Sequence, residues 1–206
     1  MTYAIIQHVL VLFLLRKLIK QIDRTNHEWS GNIPPQIAKT GSNDFMQQIM
    51  DEVARKELSF IFPWNEQLFE KYQNLVDWKE VSNNDVMLWT ASMLEKFKNQ
   101  IDWDTLSQSH HRCILTAEIF EKFKVYWNWK ELSSNSEVEL DFDLIDRFLD
   151  RWDWKELIDS NRDDLLNHEF LDRYKIHIPV SELQNSRLWR NLVDERKWQL
   201  AREITA

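Results

Sequence analysis

Large apolar residues recur along the middle of the chain at helical spacing. Met93, Leu94, Phe97 and Ile101 form one set, Ile119, Phe120, Phe123 and Trp127 a second, and Leu144, Ile145, Phe148 and Trp152 a third. Their steps of one, four and eight put each set on one face of an α-helix, with charges such as Lys96, Lys98, Lys122 and Lys124 on the other face. The sets are themselves periodic. Glu70-Lys71-Tyr72, Glu95-Lys96-Phe97, Glu121-Lys122-Phe123, Asp146-Arg147-Phe148 and Asp172-Arg173-Tyr174 follow one another at intervals of 25, 26, 25 and 26 residues.

A second marker keeps the same register. It reads Trp78-Lys79-Glu80-Val81-Ser82, Trp103-Asp104-Thr105-Leu106-Ser107, Trp129-Lys130-Glu131-Leu132-Ser133 and Trp154-Lys155-Glu156-Leu157. Lys56-Glu57-Leu58-Ser59 before it and Val180-Ser181-Glu182-Leu183 after it are degraded copies. Two markers in one register over more than a hundred residues identify a repeat array.

Each unit predicts two helices. Asp77, Asp102, Asn128 and Asp153 stand as N-caps before the tryptophan helix, which stops near Ser82–Asn84 or Ser133–Asn135. Glu80, Glu131 and Glu156 lie three positions after their caps, the spacing of a reciprocal capping box. Asn65, Thr90, Thr116, Asp141 and Asn167 cap a second helix, expected to be the longer of the two. Apolar pairs such as Trp64 with Phe69, and Trp127 with Leu132, have the spacing of hydrophobic staples.

Two short helices cannot bury an apolar face alone, so neighbouring units must share a core. The expected fold is all-α: a right-handed helical-repeat solenoid of about five 25–26-residue helix–turn–helix units with capping helices. Its organisation reads as an N-terminal apolar helix and linker over 1–43, Trp-rich repeats over 44–184 and a C-terminal capping helix over 185–206. The expected repeat core is Trp78, Trp103, Trp129 and Trp154 with Phe97, Phe123, Phe148, Tyr72 and Tyr174. In the last unit Pro179 stands at the cap position and no tryptophan follows, as suits a terminal repeat. Helices are expected over about 44–58 and about 186–203, the latter with Leu188, Leu192, Trp198 and Leu200.

The phrase Trp127-Asn128-Trp129-Lys130-Glu131-Leu132-Ser133 resembles the tandem Trp-rich repeats of uncharacterised bacterial and large-virus proteins. The resemblance covers about residues 56–184. It implies an α-helical array and carries no catalytic residues with it.

Composition narrows the picture. Eleven tryptophans, and 43% hydrophobic residues overall, provide for a substantial core. Burying one indole is worth about 4–6 kcal/mol at most, from roughly 150–250 Å² of surface. Only Gly31 and Gly41 are glycines, so neither a dinucleotide-binding loop nor a P-loop can be built. The single cysteine, Cys113, excludes an intrachain disulfide and a Cys-based zinc site, and is expected as a small core side chain. Residues 1–43 carry net +3 against −8 for the whole chain, so the remainder carries −11. That acidic body excludes the clustered cations a nucleic-acid backbone requires and favours a basic protein partner.

Ala4–Leu15 is apolar, is followed by Arg16 and Lys17, and continues at helical spacing through Leu18, Ile19 and Ile22. It is too short to span a bilayer and has its charges on the wrong side for a secretory signal. A helix over about 4–23 that packs on the first repeat, or on a partner, is expected, with a membrane-surface anchor over 1–22 as the alternative. Gly31-Asn32-Ile33-Pro34-Pro35 reads as a linker.

Other candidate chemistry is sparse. His110 and His111 are adjacent, so they do not face one metal, and no third ligand is in view. Glu137, Glu139, Asp141 and Asp143 lack the glycine of an EF-hand and read as a solvated acidic loop. No metal, cofactor, small-molecule ligand or catalytic residue is predicted. The expected function is a non-catalytic protein–protein interaction module of the scaffold, adaptor or inhibitor and immunity type, in the cytoplasm. The alternatives are a membrane-peripheral adaptor docked through residues 1–22 and an enzyme with an unrecognised site.

Overall fold

Nine polar side chains hold nine helix starts. In the computed structural model, which describes residues 42–205, Asn65, Thr90, Thr116, Asp141 and Asn167 each accept a hydrogen bond from the backbone N–H three residues on. Asp77, Asp102, Asn128 and Asp153 do the same for the tryptophan helices. The described residues are all-helical, with no strand. The helix expected over 4–23 and the Gly31–Pro35 linker lie outside them.

The described chain divides into two compact units, one up to Met87 and one from Leu88. The first holds α1 (Ser42–Ile61), α2 (Glu66–Tyr72) and α3 (Trp78–Ser82). Phe69, Val81 and Met87 are its fully buried apolar side chains, and α1 packs along α3. The second holds α4 (Ala91–Phe97), α5 (Trp103–Gln108), a 3-10 turn (Arg112–Ile114), α6 (Ala117–Lys122) and α7 (Trp129–Ser134). It continues through α8 (Phe142–Arg147), α9 (Trp154–Asp159), α10 (His168–Tyr174), α11 (Val180–Leu183) and α12 (Arg187–Thr205). There the tryptophan helices contact one another in sequence, α5 with α7 and α7 with α9, and α9 meets α11 and α12. Leu94, Leu106, Phe120, Leu132, Ile145, Leu157 and Phe170 form the buried interior.

The second helix of each repeat is shorter than its apolar spacing suggests. α4 stops at Phe97 rather than running to Ile101, and α6 and α8 stop at Lys122 and Arg147. A tight turn follows each time: the N–H groups of Leu75, Gln100, Tyr126, Arg151 and His177 donate to the carbonyls of Tyr72, Phe97, Phe123, Phe148 and Tyr174. The tryptophan of the next helix fastens this turn. The indole N–H of Trp78 donates to Gln73 O at 3.1 Å, that of Trp103 to Lys98 O at 2.8 Å and that of Trp129 to Lys124 O at 2.9 Å. The indole thus supplies a partner for a carbonyl that the helix end leaves without one.

The C-terminal helix forms where expected, but only its first half is buried. Leu188 and Leu192 are covered, whereas Trp198 is 70% exposed and Leu200 is exposed. Polar bonds to the preceding repeat seat that buried half. Arg187 pairs with Asp163 at 2.5 Å and Arg190 with Asp159 at 3.1 Å. Asn191 donates to Asp163 at 3.2 Å and to Leu166 O at 3.1 Å.

Candidate interaction surface

The marker residues build the seam between consecutive repeats. Of the expected core side chains, Trp103, Phe97, Phe123, Phe148 and Tyr174 are buried, while Trp78, Trp129, Trp154 and Tyr72 are half-buried. Ring centroids of Trp103 and Phe123 lie 5.5 Å apart, of Trp129 and Phe148 5.1 Å, and of Trp154 and Tyr174 5.3 Å. Trp127 and Trp152 meet the preceding indole edge-on at 5.0 and 5.1 Å. Such tilted and edge-on pairs suit the ring quadrupoles and add to the burial term.

A hydroxyl relay runs through the same seam. Ser59, Ser107 and Ser133 are fully buried. Each donates to the carbonyl four residues back, at 2.7, 2.6 and 2.7 Å. Each also accepts from the N–H of the next repeat's cap: Asp77 to Ser59 at 2.9 Å, Asn128 to Ser107 at 3.1 Å and Asp153 to Ser133 at 2.9 Å. This corrects the capping-box expectation. The cap N–H goes to the serine of the previous repeat, which leaves the N3 glutamate for other work. Glu156 pairs with Lys130 of the previous repeat at 3.7 Å, and Glu182 with Lys155 at 3.3 Å.

Asparagine clamps the carbonyls that a helix end leaves unpaired. Asn84 Nδ2 donates to Ser59 O at 2.9 Å and Phe62 O at 2.7 Å. Asn135 Nδ2 donates to Ser107 O at 2.8 Å and Ser109 O at 3.0 Å. One repeat later Arg162 takes over, with Nη1 to Ser133 O at 2.8 Å and Nη2 to Asn135 O. Burial pushes the Arg162 guanidinium down to about 10, so it remains charged at neutral pH. The buried serines and Arg162 were not singled out from sequence. The serines' signal was their recurrence at one repeat position in Ser59, Ser82, Ser107 and Ser133, and nothing comparable marked Arg162.

Outside the seam, the Glu-Lys-aromatic marker forms a charge ladder. Lys122 pairs with Glu95 of the preceding repeat at 3.3 Å, Arg147 with Glu121 at 4.0 Å, and Arg173 with Asp146. Lys98 and Lys122 hold the Glu95 carboxyl below its usual range, and Arg173 and Tyr174 do so for Asp146. The same cations lie over rings: Lys122 over Phe123, Arg147 over Phe148 and Arg173 over Tyr174. The Tyr174 hydroxyl donates to Asp146 at 2.9 Å, and burial together with that bond raises its pKa.

Two further expectations change. Cys113 is exposed beside the buried Ile114 of the three-residue 3-10 turn, and its thiol donates to Trp89 O at 3.6 Å. The loop from Glu137 to Asp143 is partly neutralised: Arg112 pairs with Glu137 at 2.5 Å and with Glu139 at 3.7 Å, while Asp141 caps α8. Arg112 holds the Glu137 carboxyl below its ordinary value. His111 is buried and His110 exposed. Among the described residues no group of three or more His, Cys, Asp or Glu is placed to hold a metal ion.

What the seam and ladder leave exposed varies from repeat to repeat. The ninth position after each second-helix cap is exposed five times over, as Asn74, Asn99, Val125, Asp150 and Ile176. Val125 is 75% and Ile176 83% exposed. In the first unit an apolar cavity of 290 Å³ opens beside Leu58, Phe62, Leu68, Tyr72 and Leu75. No helix among the described residues is long and apolar enough to cross a membrane. No protein family, curated protein or solved structure matches the chain.

Proposed function

We propose that the chain is a right-handed repeat solenoid acting as a non-catalytic protein–protein interaction module, a scaffold, adaptor or inhibitor-type binder akin to other Trp-rich repeat proteins. The supporting observation is the division of labour within the repeat. Tryptophan, serine, asparagine and the Glu-Lys pair are committed to joining one module to the next. The ninth position is exposed every time and holds asparagine, valine, aspartate or isoleucine. A constant seam with a variable exposed register is how a repeat array presents a recognition surface. Val125 and Ile176, large apolar side chains held in water, are the anchors of that surface. The −11 charge of the chain beyond residue 43 selects a basic partner.

Affinity capture from the source organism tests this, using the wild type beside Val125→Asp/Ile176→Asp. The expected result is a basic protein retained by the wild type, released by moderate salt and lost from the double variant, whose helical circular dichroism is unchanged. Identical retention by both chains would remove this surface from consideration.

A further inference from the structure

The 290 Å³ cavity of the first unit is lined by the positions that seat a tryptophan in later modules. Trp154 lies 5.3 Å from Tyr174 and 5.1 Å from His177, centroid to centroid. Trp103 lies 5.5 Å from Phe123 and 5.2 Å from Tyr126. Each pair stands seven and ten residues after its second-helix cap, Asn167 or Thr116. After the Asn65 cap the same two positions are Tyr72 and Leu75, and both line the cavity. The marker position before that module holds Arg55, which precedes Lys56-Glu57-Leu58-Ser59 as Trp78 precedes Lys79-Glu80-Val81-Ser82. Arg55 lines the cavity too, and Tyr72 is half-buried where Phe123, Phe148 and Tyr174 are buried.

The walls are apolar, and the donors of Trp64 and Ser59 are taken by backbone carbonyls. Trp64 Nε1 donates to Ser59 O at 3.2 Å and Ser59 Oγ to Arg55 O at 2.7 Å. A cavity of about 150 Å³ already accepts benzene, so this one has room for a fused bicyclic ring. It lies at the small end of ligand pockets, which run from roughly 300 to 1,000 Å³. Arg55 is the charged residue of the lining, and its Nε donates to Asp51 O at 3.1 Å. The two carboxylates one turn before it are engaged elsewhere. Asp51 accepts from Gln47 at 2.9 Å, and Glu52 pairs with Lys56 at 3.5 Å.

We propose that the cavity binds a small aromatic carboxylate of indole size. The ring takes the place that a marker tryptophan takes in later modules, against Phe62, Leu68 and Tyr72. The carboxylate pairs with the exposed guanidinium of Arg55. A planar guanidinium matches a carboxylate through two parallel hydrogen bonds. A dianion such as a phosphate ester is disfavoured, because Asp51 and Glu52 stand one turn from Arg55. The site is built within one unit and is independent of the protein partner proposed above.

The test titrates the full-length chain with indole-3-acetate and with tryptamine, which share a ring and differ in the sign of their charge. Ligand-observed NMR gives the two affinities. The net charge of −8 favours the cation at any nonspecific site, so a preference for the anion reports Arg55 itself. Indole-3-acetate is expected to bind about tenfold or more tightly than tryptamine, the size of one charge-assisted hydrogen bond. It is also expected to shift the methyl resonances of Leu58, Leu68 and Leu75. Arg55→Gln should keep the ring site and remove the preference. Arg55→Trp restores the repeat's own indole and should abolish binding of both probes, with helical circular dichroism unchanged. No binding of indole-3-acetate to the wild type, equal or tighter binding of tryptamine, or shifts confined to residues after Met87 would overturn the proposal. So would an Arg55→Gln chain that keeps the full preference.

Discussion

Ile158 and Pro179 lose one hydrogen bond together. At the junctions before them, Ser59, Ser107 and Ser133 accept the N–H of Asp77, Asn128 and Asp153. At the next junction the serine position holds Ile158, and the cap position holds Pro179, which has no N–H to offer. The acceptor and the donor are absent together, so no buried orphan is left. Ser133→Ala breaks the same arrangement on one side only and strands the Asp153 N–H. The expected loss is about 1–3 kcal/mol, read as a lower urea midpoint at unchanged slope. Conversely, Ile158→Ser and Pro179→Asp together are expected to be more stable than the sum of the two single changes. Strict additivity would show that the relay carries no energy.

The carbonyl clamps should respond in the same way. Asn135→Leu keeps the volume but removes the donor to Ser107 O and Ser109 O, and Arg162→Met removes it from Ser133 O and Asn135 O. Each is expected to cost about 1–3 kcal/mol. Arg162→Lys keeps the charge without the two-pronged geometry, and its stability should fall between the wild type and Arg162→Met. A Lys variant as stable as the wild type would reduce the role of Arg162 to its charge.

Acid and alkali should act on different groups. Asp163 is held at about 2 by its bonds to Arg187 and Asn191. A carboxyl whose pKa is lower when folded stabilises above its ordinary range, and loses that contribution as pH falls through about 2. Amide protection in the first turns of α12 is therefore expected to fall between the ordinary aspartate value of about 4 and about 2. Asp163→Asn should flatten that dependence, and added salt should weaken it because the pair is exposed. Tyr174 works in the opposite sense. Its raised pKa gives stability that is present at neutral pH and is lost above the ordinary tyrosine range.

Cys113 offers a direct check on the 3-10 turn. Its thiol belongs to an exposed residue but donates to Trp89 O at 3.6 Å, so it is expected to react with a thiol reagent in the folded protein, more slowly than after denaturation. A thiol that labels only on unfolding would place it inside and contradict the turn.

Much of the fold was legible because it is local. Asn65, Thr90, Asp141 and the other caps act on an N–H two or three residues away, so sequence alone locates them. The periods of 25 and 26 residues likewise announced repeats that must share a core. The seam was only partly legible. The serine of the Trp-Lys-Glu-Leu-Ser phrase recurs visibly, yet its acceptor role is set by a backbone group 18 to 21 residues away. The glutamate at N3 suggested a capping box because that pairing needs only one helix turn, and the neighbouring repeat's hydroxyl took its place. Helix length was misjudged because an apolar face can continue through a tight turn as well as along a helix. Cys113 was misread because composition says how often a thiol is buried, whereas its place in a three-residue turn decides how much of it meets solvent.

The sequence by itself determined that the chain is helical, repetitive, acidic beyond its first 43 residues and without the glycines of a phosphate-binding loop. Those properties follow from local spacing, capping chemistry and charge, which need no partner in space. Only the tertiary structure decided that Ser133 serves Asp153, that Arg162 replaces an asparagine, and that an apolar cavity opens beside Leu68 and Tyr72. These depend on which surfaces two modules present to each other when packed. Burial turns a polar atom's choice of partner into a requirement, and that choice spans some 20 residues of chain.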